Sequence, residues 1–509
     1  MLGLMQDRPL LISSMIEFAA SYYPDVEIVT RTVEGPIHRY GYKDAAKRAK
    51  QVAEALQGLG IKLGDRIGTL AWNTHRHFEL YFGISGLGAV LHTINPRLAP
   101  DHVAYIANHA EDQIIFVDLN LLPIVEGVFP HLKTVKHVVV MTDRAHMPAS
   151  SKIPNLLCYE ELIAGKPGTL RWPDFDEKTA SSLCYTSGTT GNPKGVLYSH
   201  RSTVLHAMMS SNGAVIPMNP DTTVLPVVPM FHANAWGLVY AGPICGAKMV
   251  FPGPKLDGAS IYELLDKEQV TLSAGVPTVW LALLDYCAQN KLKMSSVKRT
   301  LIGGSAVPIS MIERFWKEHG AEVVQGWGMT EMSPLGTTTR FNRGERQLPD
   351  AERFAITAKA GRPVYGCEMK IIDDAGNVVA HYDKIHMFDV TLPSGKVIRE
   401  SSAYRPGERA VVAETPWGRL GMTVCYDLRF PQLYRVLAQA GALFLAIPSS
   451  FQRETGMHHW HSLLRARAIE NLSYVFAPAM CGEHPGNRTT YGHSLIIDPW
   501  GKIVAELGD

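Results

Sequence analysis

The feature that most constrains this 509-residue chain is an alternation of helically spaced apolar residues with short continuous apolar runs. Residues 41–60 carry Ala45, Ala49, Val52, Leu56 and Leu59 at helical intervals, and Gly58 and Gly60 end the segment. The apolar run 67–72 follows and reads as a buried strand. A helix over about 77–88 and a further strand come next. The pattern persists to about residue 335 and predicts a mostly parallel sheet covered by helices.

Composition bounds the remaining possibilities. Apolar residues make up 46% and charged residues 19%, which excludes a disordered or collagen-like chain. Lys+Arg is 49 against 48 Asp+Glu, a balance without the electrostatic footprint of a nucleic-acid or anionic-membrane binder. No apolar run reaches the ~18 residues of a membrane span. The opening MLGLMQDRPLLISSM lacks the basic and long apolar regions of a signal peptide, so a cytoplasmic location is expected. The seven cysteines, Cys158, Cys184, Cys245, Cys287, Cys367, Cys425 and Cys481, are odd in number and never in CxxC spacing. That argues against a disulfide framework or a cysteine zinc site. Six of them read as buried thiols in a reducing compartment, and Cys425 is the exception.

Residues 340–362 are polar, charged and poorly periodic, as in a surface loop or linker. Two strand-like runs then flank the turn sequence DDAGN. After them come strands, a helix near 431–441, a strand near 442–448, a long helix near 457–471 and more strands. The sequence stops at Asp509 directly after the strand-like run 503–507, which reads as an abrupt end for a domain.

The first concentration of chemistry is YTSGTTGNPKGVLYSH at 185–200. Gly188 and Gly191 allow close backbone approach to an anion, and Thr186, Ser187, Thr189 and Thr190 add donors. Lys194 supplies a point charge for a phosphate. The apolar run after it fits a strand, and the spacing is not that of the usual P-loop. The bland alternative is a polar loop between two strands.

Further motifs follow in order: VLPVVPMFHANAW (224–236), GVPTVW (275–280), IGGSAVP (302–308) and QGWGMTEMSP (325–334). On these residues, the region from 1 to about 370 resembles an AMP-forming acyl-CoA synthetase of the adenylate-forming superfamily. It is most similar to the 3-(methylthio)propionyl-CoA and medium-chain fatty-acyl-CoA ligase branch. The resemblance implies a large α/β adenylation domain, with ATP, Mg²⁺ and CoA as cofactors and a short- or medium-chain carboxylate as substrate. It places His232 and Trp236 in the acyl and adenylate pocket, GVPTVW on the acyl tunnel, and Gly304, Ser305 and Ala306 in the adenine-binding segment. It gives Trp327 stacking on adenine beside Gly328 and Met329, Thr330 contact with the α-phosphate, and Glu331 the magnesium ion. Two anions must meet in adenylation, so charge neutralisation is the main task. Taken singly, His232, Trp236 and Trp327 would pass for core residues and Glu331 for a surface carboxylate.

The resemblance ends near Ile372. The ribose-binding Asp and the lysine-bearing lid that it implies have no counterpart afterwards. Weak ATP binding and poor or absent adenylation are therefore expected.

A second set of motifs runs through YDKIHMFDV (382–390), RESSAYRPGE (399–408), LGMTVCYDLRFPQLYR (420–435), HWHSLLRARAIENLSYV (459–475) and TYGHSLIIDPWGKIVAELG (490–508). These resemble the carbon–nitrogen hydrolase, or nitrilase, superfamily, in its omega-amidase and deaminated-glutathione-amidase branch. The resemblance implies an αββα sandwich in which Lys384, a supporting Glu400 and the nucleophile Cys425 cleave an amide. A thiol at a strand end can attack a carbonyl carbon, and a nearby ammonium lowers its pKa. A buried strand cysteine and solvated charges are the plain alternatives. Asp427 and Arg429 are expected to order the turn, and Glu470 to pair with the helix arginines. The catalytic glutamate implied by the family would fall among the ligase motifs, where no matching segment exists. Alkylation of Cys425 without amide turnover is the expectation.

The fold class is thus α/β throughout. A large adenylate-forming domain, incomplete at its end, spans 1–370; a seam spans 371–383; part of an αββα nitrilase-like sandwich spans 384–509. The hairpin sequence IIDDAGNVVA suits either family. Three readings stay open: an acyl-CoA ligase, a cysteine amidase, or an inactive chimera. Both families commonly form homo-oligomers, so the resemblance implies one here.

Overall fold

Helix Tyr42–Gly58 buries Ala45, Ala49, Val52, Ala53 and Leu56 along one face, as the apolar spacing dictates. The computed structural model describes residues 7–186, 192–213, 215–367, 380, 382–391, 397–402, 405–415, 417–484 and 488–507. It divides into two units, Met1–Cys367 and Glu368–Asp509.

The α/β alternation of the first unit builds two sheets rather than one. Among the described residues, a seven-stranded sheet runs Leu157–Cys158, His137–Val140, Ile114–Val117, Arg66–Leu70, Val90–Ile94, Ala180–Thr186, Lys194–Ser199. Only its last pair is antiparallel, where the chain turns back through the glycine-rich loop. A nine-stranded sheet is parallel from Glu322–Gly328 through Arg299–Ile302, Leu272–Gly275, Thr223–Pro226 and Lys248–Phe251 to Glu27–Arg31. Antiparallel strands close it at both ends. Helix His75–Gly86 is buried on every side and touches both sheets. Phe78 meets Phe251 of the larger sheet at 5.5 Å, and His77 Nε2 lies 3.0 Å from the Thr69 hydroxyl of the smaller.

Residues 340–362 are not the surface linker that their polarity suggests. Helix Asp350–Thr357 seats Phe354 in the core that holds Trp280 and Phe315, and Arg362–Pro363 pairs with Thr337 and Thr338. A single aromatic anchor suffices to dock two turns, which is too little periodicity to read. The expectation of six buried thiols is also corrected. Cys158, Cys184 and Cys287 are buried, Cys245 and Cys367 are half-buried, and Cys481 is exposed on a two-stranded ribbon. None of the seven is in a disulfide.

Among the described residues, the second unit is built on a six-stranded sheet with helices on one face, beside two two-stranded ribbons. Its order is Val411–Thr415, Gly418–Met422, Phe444–Ala446, Tyr474–Ala477, Leu495–Ile497, Ile503–Glu506, parallel in the centre and antiparallel outside. Helices Pro431–Gln439 and Arg453–Asn471 pack through Tyr434, Leu437, Trp460 and Leu464 onto Leu445, Val475 and Ile497. On the opposite face Phe444 lies 6.0 Å from Tyr474 and 5.9 Å from Phe476, and both of these partners are exposed. One helical layer on one sheet is half of an αββα sandwich. Most of the seam, residues 371–379 and 381, lies outside the described residues.

Candidate functional site

In the segment FHANAWG, Ala233, Asn234, Ala235, Trp236 and Gly237 all have positive φ, from 44° to 78°. Each L-residue held there costs roughly 1–2 kcal/mol, so the surroundings must enforce the turn. The buried Asn234 donates through Nδ2 to the Ser182 hydroxyl at 3.1 Å, and its Oδ1 lies 3.3 Å from the Tyr81 hydroxyl. Just upstream, Asn73 donates to the carbonyls of Pro226 and Val228 at 2.8 and 2.9 Å and accepts from Met230 N at 2.6 Å. A left-handed turn clamped at both ends aims His232 and Trp236 at one place.

That place is a cavity of about 220 Å³. His232, Trp236, Gly304, Trp327, Gly328, Met329 and Thr330 all line it, so residues from three distant motifs converge. Close packing fixes both indoles. A Cβ on Gly303 would meet the Trp236 ring at 3.3 Å, and one on Gly336 would meet the Trp327 ring at 2.8 Å. Trp327 remains 38% exposed, so part of its surface stays open to a ligand. His232 keeps solvent access, while desolvation by the surrounding protein lowers its pKa and leaves a neutral imidazole near pH 7.

Other residues singled out by sequence stand apart from this lining. Ser305, Ala306 and Glu331 are exposed and outside it. Thr186 is half-buried and donates to the Lys194 carbonyl at 3.4 Å, while the Lys194 side chain is exposed. Ser187, Gly188, Thr189, Thr190 and Gly191 lie outside the described residues. GVPTVW does not line the cavity, and Trp280 is a fully buried core residue.

Two further residues carry the site without being conspicuous in the sequence. Tyr198, on strand Lys194–Ser199, donates its hydroxyl to the Thr330 carbonyl at 2.5 Å. Burial pushes its phenol well above the ordinary range, so it stays a donor. His206 accepts from Leu335 N at 3.3 Å, and burial pulls its pKa down to about 4. Tyr198 follows the glycine-rich loop directly, which is the one signal that could have found it.

In the second unit, Cys425 opens a 3₁₀ turn, Cys425–Arg429, just after strand Gly418–Met422. Its φ of 52° is left-handed backbone that a non-glycine residue holds only under strain. Its N–H donates to the Pro448 carbonyl at 3.0 Å. The buried carboxylate of Asp427 accepts from Val424 N at 2.9 Å, Tyr382 Oη at 2.8 Å and His386 N at 2.9 Å. It thereby ties the segment bearing Lys384 to the turn bearing Cys425. Lys384 Nζ hydrogen-bonds Glu400, which also accepts from Phe388 N at 2.6 Å. Glu470 pairs with Arg467 at 2.6 Å, and the Arg429 guanidinium lies over Tyr426 and Phe451.

Comparison with known proteins separates the two regions. Residues 16–384 match the family described as AMP-binding enzyme, and residues 352–509 match carbon–nitrogen hydrolase. A 3-methylmercaptopropionyl-CoA ligase of Ruegeria lacuscaerulensis is 49% identical over 381 residues, covering 75% of this chain and 70% of the relative. A medium-chain-fatty-acid–CoA ligase of Ectopseudomonas oleovorans is 46% identical, covering 74% and 69%. A deaminated glutathione amidase of Dictyostelium discoideum is 50% identical over 140 residues, 27% of this chain and 48% of that protein. The chain thus spans about half the length of that amidase. Among solved structures, an anthranilate CoA ligase in complex with anthranoyl-AMP superposes with a TM-score of 0.64 at 23% identity, covering 75% and 70% of the two chains. The N-terminal domain of FACL13 from Mycobacterium tuberculosis does so with 0.61 at 20% identity, covering 80% and 98%. These two likenesses establish the fold. The chain belongs to the AMP-binding enzyme family, and carries a carbon–nitrogen hydrolase region in its C-terminal part.

Proposed function

We propose that the N-terminal unit activates a short carboxylate as its acyl-adenylate at the expense of ATP, with CoA as the acceptor of the acyl group. The observation that carries this reading is the convergence of His232, Trp236, Trp327 and Thr330 on one cavity. Its volume of about 220 Å³ falls below the ~300–1,000 Å³ usual for drug-sized ligands. The substrate class, a short acid such as 3-(methylthio)propionate, follows the 49% identical 3-methylmercaptopropionyl-CoA ligase.

The residues present fit a magnesium nucleotide. A part-open indole beside a glycine suits a purine face, and the Thr330 hydroxyl suits an α-phosphate oxygen. Lys194 and Glu331 are exposed, where a cation for phosphate and a carboxylate for Mg²⁺ are wanted. Gly304, Ser305 and Ala306 edge the adenine position, and the loop 186–191 supplies donors to the phosphates. When bound, Mg²⁺ offsets phosphate charge as the two anions approach. Neutral His232 can hydrogen-bond the carboxylate without trapping it as an ion pair. Because the residues that follow match carbon–nitrogen hydrolases instead of a ligase lid, thioester formation is expected to lag behind adenylation.

ATP–pyrophosphate exchange with a panel of short and medium carboxylates tests the proposal. Exchange that favours short acids and collapses in Lys194→Ala supports it. No exchange, together with no rise in melting temperature with magnesium ATP, leaves an inert chimera.

A second, separate reading is favoured by the strained Cys425 and the Lys384–Glu400 pair. That site resembles a cysteine amidase, for which the matched segment supplies no catalytic base. Labelling of Cys425 by iodoacetamide without hydrolysis of deaminated glutathione is the expected result, and Cys425-dependent hydrolysis would restore the amidase. Use of ATP and CoA beside seven cysteines outside any disulfide suits the cytoplasm. Among the described residues, no helix is long and apolar enough to cross a membrane. No homo-oligomer interface enters the reading.

A further inference from the structure

Three side chains with metal-ligating atoms converge on one edge of the C-terminal sheet. His461 comes from helix Arg453–Asn471, His493 from the loop before strand Leu495–Ile497, and Glu506 from the end of strand Ile503–Glu506. His461 Nε2 lies 3.0 Å from Glu506 Oε1, and His493 Nδ1 lies 2.7 Å from the same oxygen. The three ligand atoms all fall within 4.8 Å of one another. We propose that His461, His493 and Glu506 bind a divalent transition-metal ion of the zinc class, leaving a fourth position to water.

The donor set decides the class of ion. Two imidazole nitrogens and one carboxylate oxygen suit zinc and its neighbours, whereas magnesium and calcium take oxygen ligands. Zinc holds such atoms at about 2.0–2.2 Å, which sets tetrahedral neighbours roughly 3.3 Å apart. The two nitrogen–oxygen pairs, at 3.0 and 2.7 Å, need to lengthen, and the two ring nitrogens, within 4.8 Å of each other, need to settle at that same spacing. Each neutral imidazole offers its lone pair by moving its proton to the other ring nitrogen, so no net proton transfer is required.

The framework is stiff. Trp460 Nε1 donates to the His493 carbonyl at 2.8 Å, and Leu507 N donates to the Ser494 carbonyl at 3.0 Å. Leu495 and Glu506 are paired across the two strands, which fixes the register of the carboxylate against the His493 loop. His461 and His493 are half-buried while Glu506 is exposed, giving an ion a path from solvent. The competing arrangement is a plain hydrogen-bonded triad in which Glu506 accepts from both rings.

Equilibrium dialysis of the full chain against zinc chloride, after chelator stripping, distinguishes the two. The site predicts one zinc per chain and at least a 10-fold loss of affinity in His461→Gln, His493→Gln and Glu506→Gln. It predicts no loss in Cys481→Ser or Cys425→Ser. Absence of zinc binding by the wild type, or binding unaltered by the three substitutions, overturns it. Should those variants not fold, cobalt substitution of the wild type decides. Visible d–d bands without thiolate charge transfer support the site; thiolate bands or none overturn it.

Discussion

The Tyr198 hydroxyl reaches the carbonyl oxygen of Thr330 at 2.5 Å, fastening the strand that follows the glycine-rich loop to the turn that carries Glu331. The bond joins a strand of the seven-stranded sheet to the turn that follows strand Glu322–Gly328 of the nine-stranded one. Tyr198→Phe leaves the Thr330 carbonyl only the long 3.5 Å contact from Ser333 N, at a stability cost of about 1 kcal/mol. Misplacing Thr330 costs more in rate than in stability, on the order of 10–100-fold. Pyrophosphate exchange and thermal unfolding measured side by side check this. An exchange rate equal to wild type would remove Tyr198 from the site.

Buried histidines make the first unit acid-sensitive. Burial pulls His77, His200 and His206 down to about 4 from an ordinary 6.5. A histidine depressed in the folded state is protonated preferentially in the unfolded chain, so its contribution to stability is lost as pH falls from about 6.5 towards 4. Asp118 opposes them, since burial raises its carboxyl to about 7 and its contribution grows as pH falls below 7. Three histidines against one carboxyl leave a net loss of roughly 2 kcal/mol between pH 7 and 5.5. Urea unfolding at the two pH values measures it. Asp118→Asn should steepen the dependence and His206→Gln should flatten it; a stability independent of pH over this range would contradict the burial of these rings.

What could be read from the sequence and what could not divide along the range of the interactions. Helix Tyr42–Gly58 and helix Arg453–Asn471 were legible because their own spacing or motif carries the signal. The convergence of His232, Trp236, Trp327 and Thr330 was legible through motifs of fixed composition. Asn73 was not, because its partners Pro226 and Val228 lie more than 150 residues away and nothing local distinguishes it from a loop asparagine. His206 was hidden in the same way, its acceptor role defined by Leu335 on another strand. The helix at Asp350–Thr357 escaped because one buried Phe354 makes no periodic pattern. The packed sheets of the first unit followed from the resemblance alone, since strand order is set by long-range pairing rather than by any single run.

The left-handed turn makes a prediction opposite to the usual rule for glycine. Ala235 is fully buried at φ 49°, while Ala49 is fully buried within an ordinary α-helix. Glycine in a helix interior costs about 1 kcal/mol relative to alanine. At Ala235 that entropic cost is offset by release of roughly 1–2 kcal/mol of left-handed strain. Ala235→Gly is therefore expected to be milder than Ala49→Gly by about 1–2 kcal/mol, both losing one buried methyl group. Chemical denaturation of the two variants settles the comparison, and equal losses would mean that the turn is not strained.

In the second unit the decisive group is the carboxylate of Asp427. Its Oδ2 accepts from Tyr382 Oη and Val424 N, and its Oδ1 accepts from His386 N. Its side chain is wholly buried, so the carboxylate depends on these donors rather than on water. Asp427→Ala removes the acceptor of these three donors and of His386 Nδ1, 2.8 Å from Oδ1, and should cost about 3–5 kcal/mol, seen as faster hydrogen exchange at Leu420 and Met422 of the adjoining strand. Asp427→Asn is intermediate: its amide can still donate to the tyrosine oxygen, but it faces the Val424 N–H with a second donor. Because the same carboxylate joins the Lys384 segment to the Cys425 turn, both substitutions should also slow alkylation of Cys425 in the order Asn, then Ala. If alkylation keeps its wild-type rate in Asp427→Ala, Lys384 does not help to form the reactive thiolate, and the strained elbow alone accounts for whatever reactivity Cys425 shows.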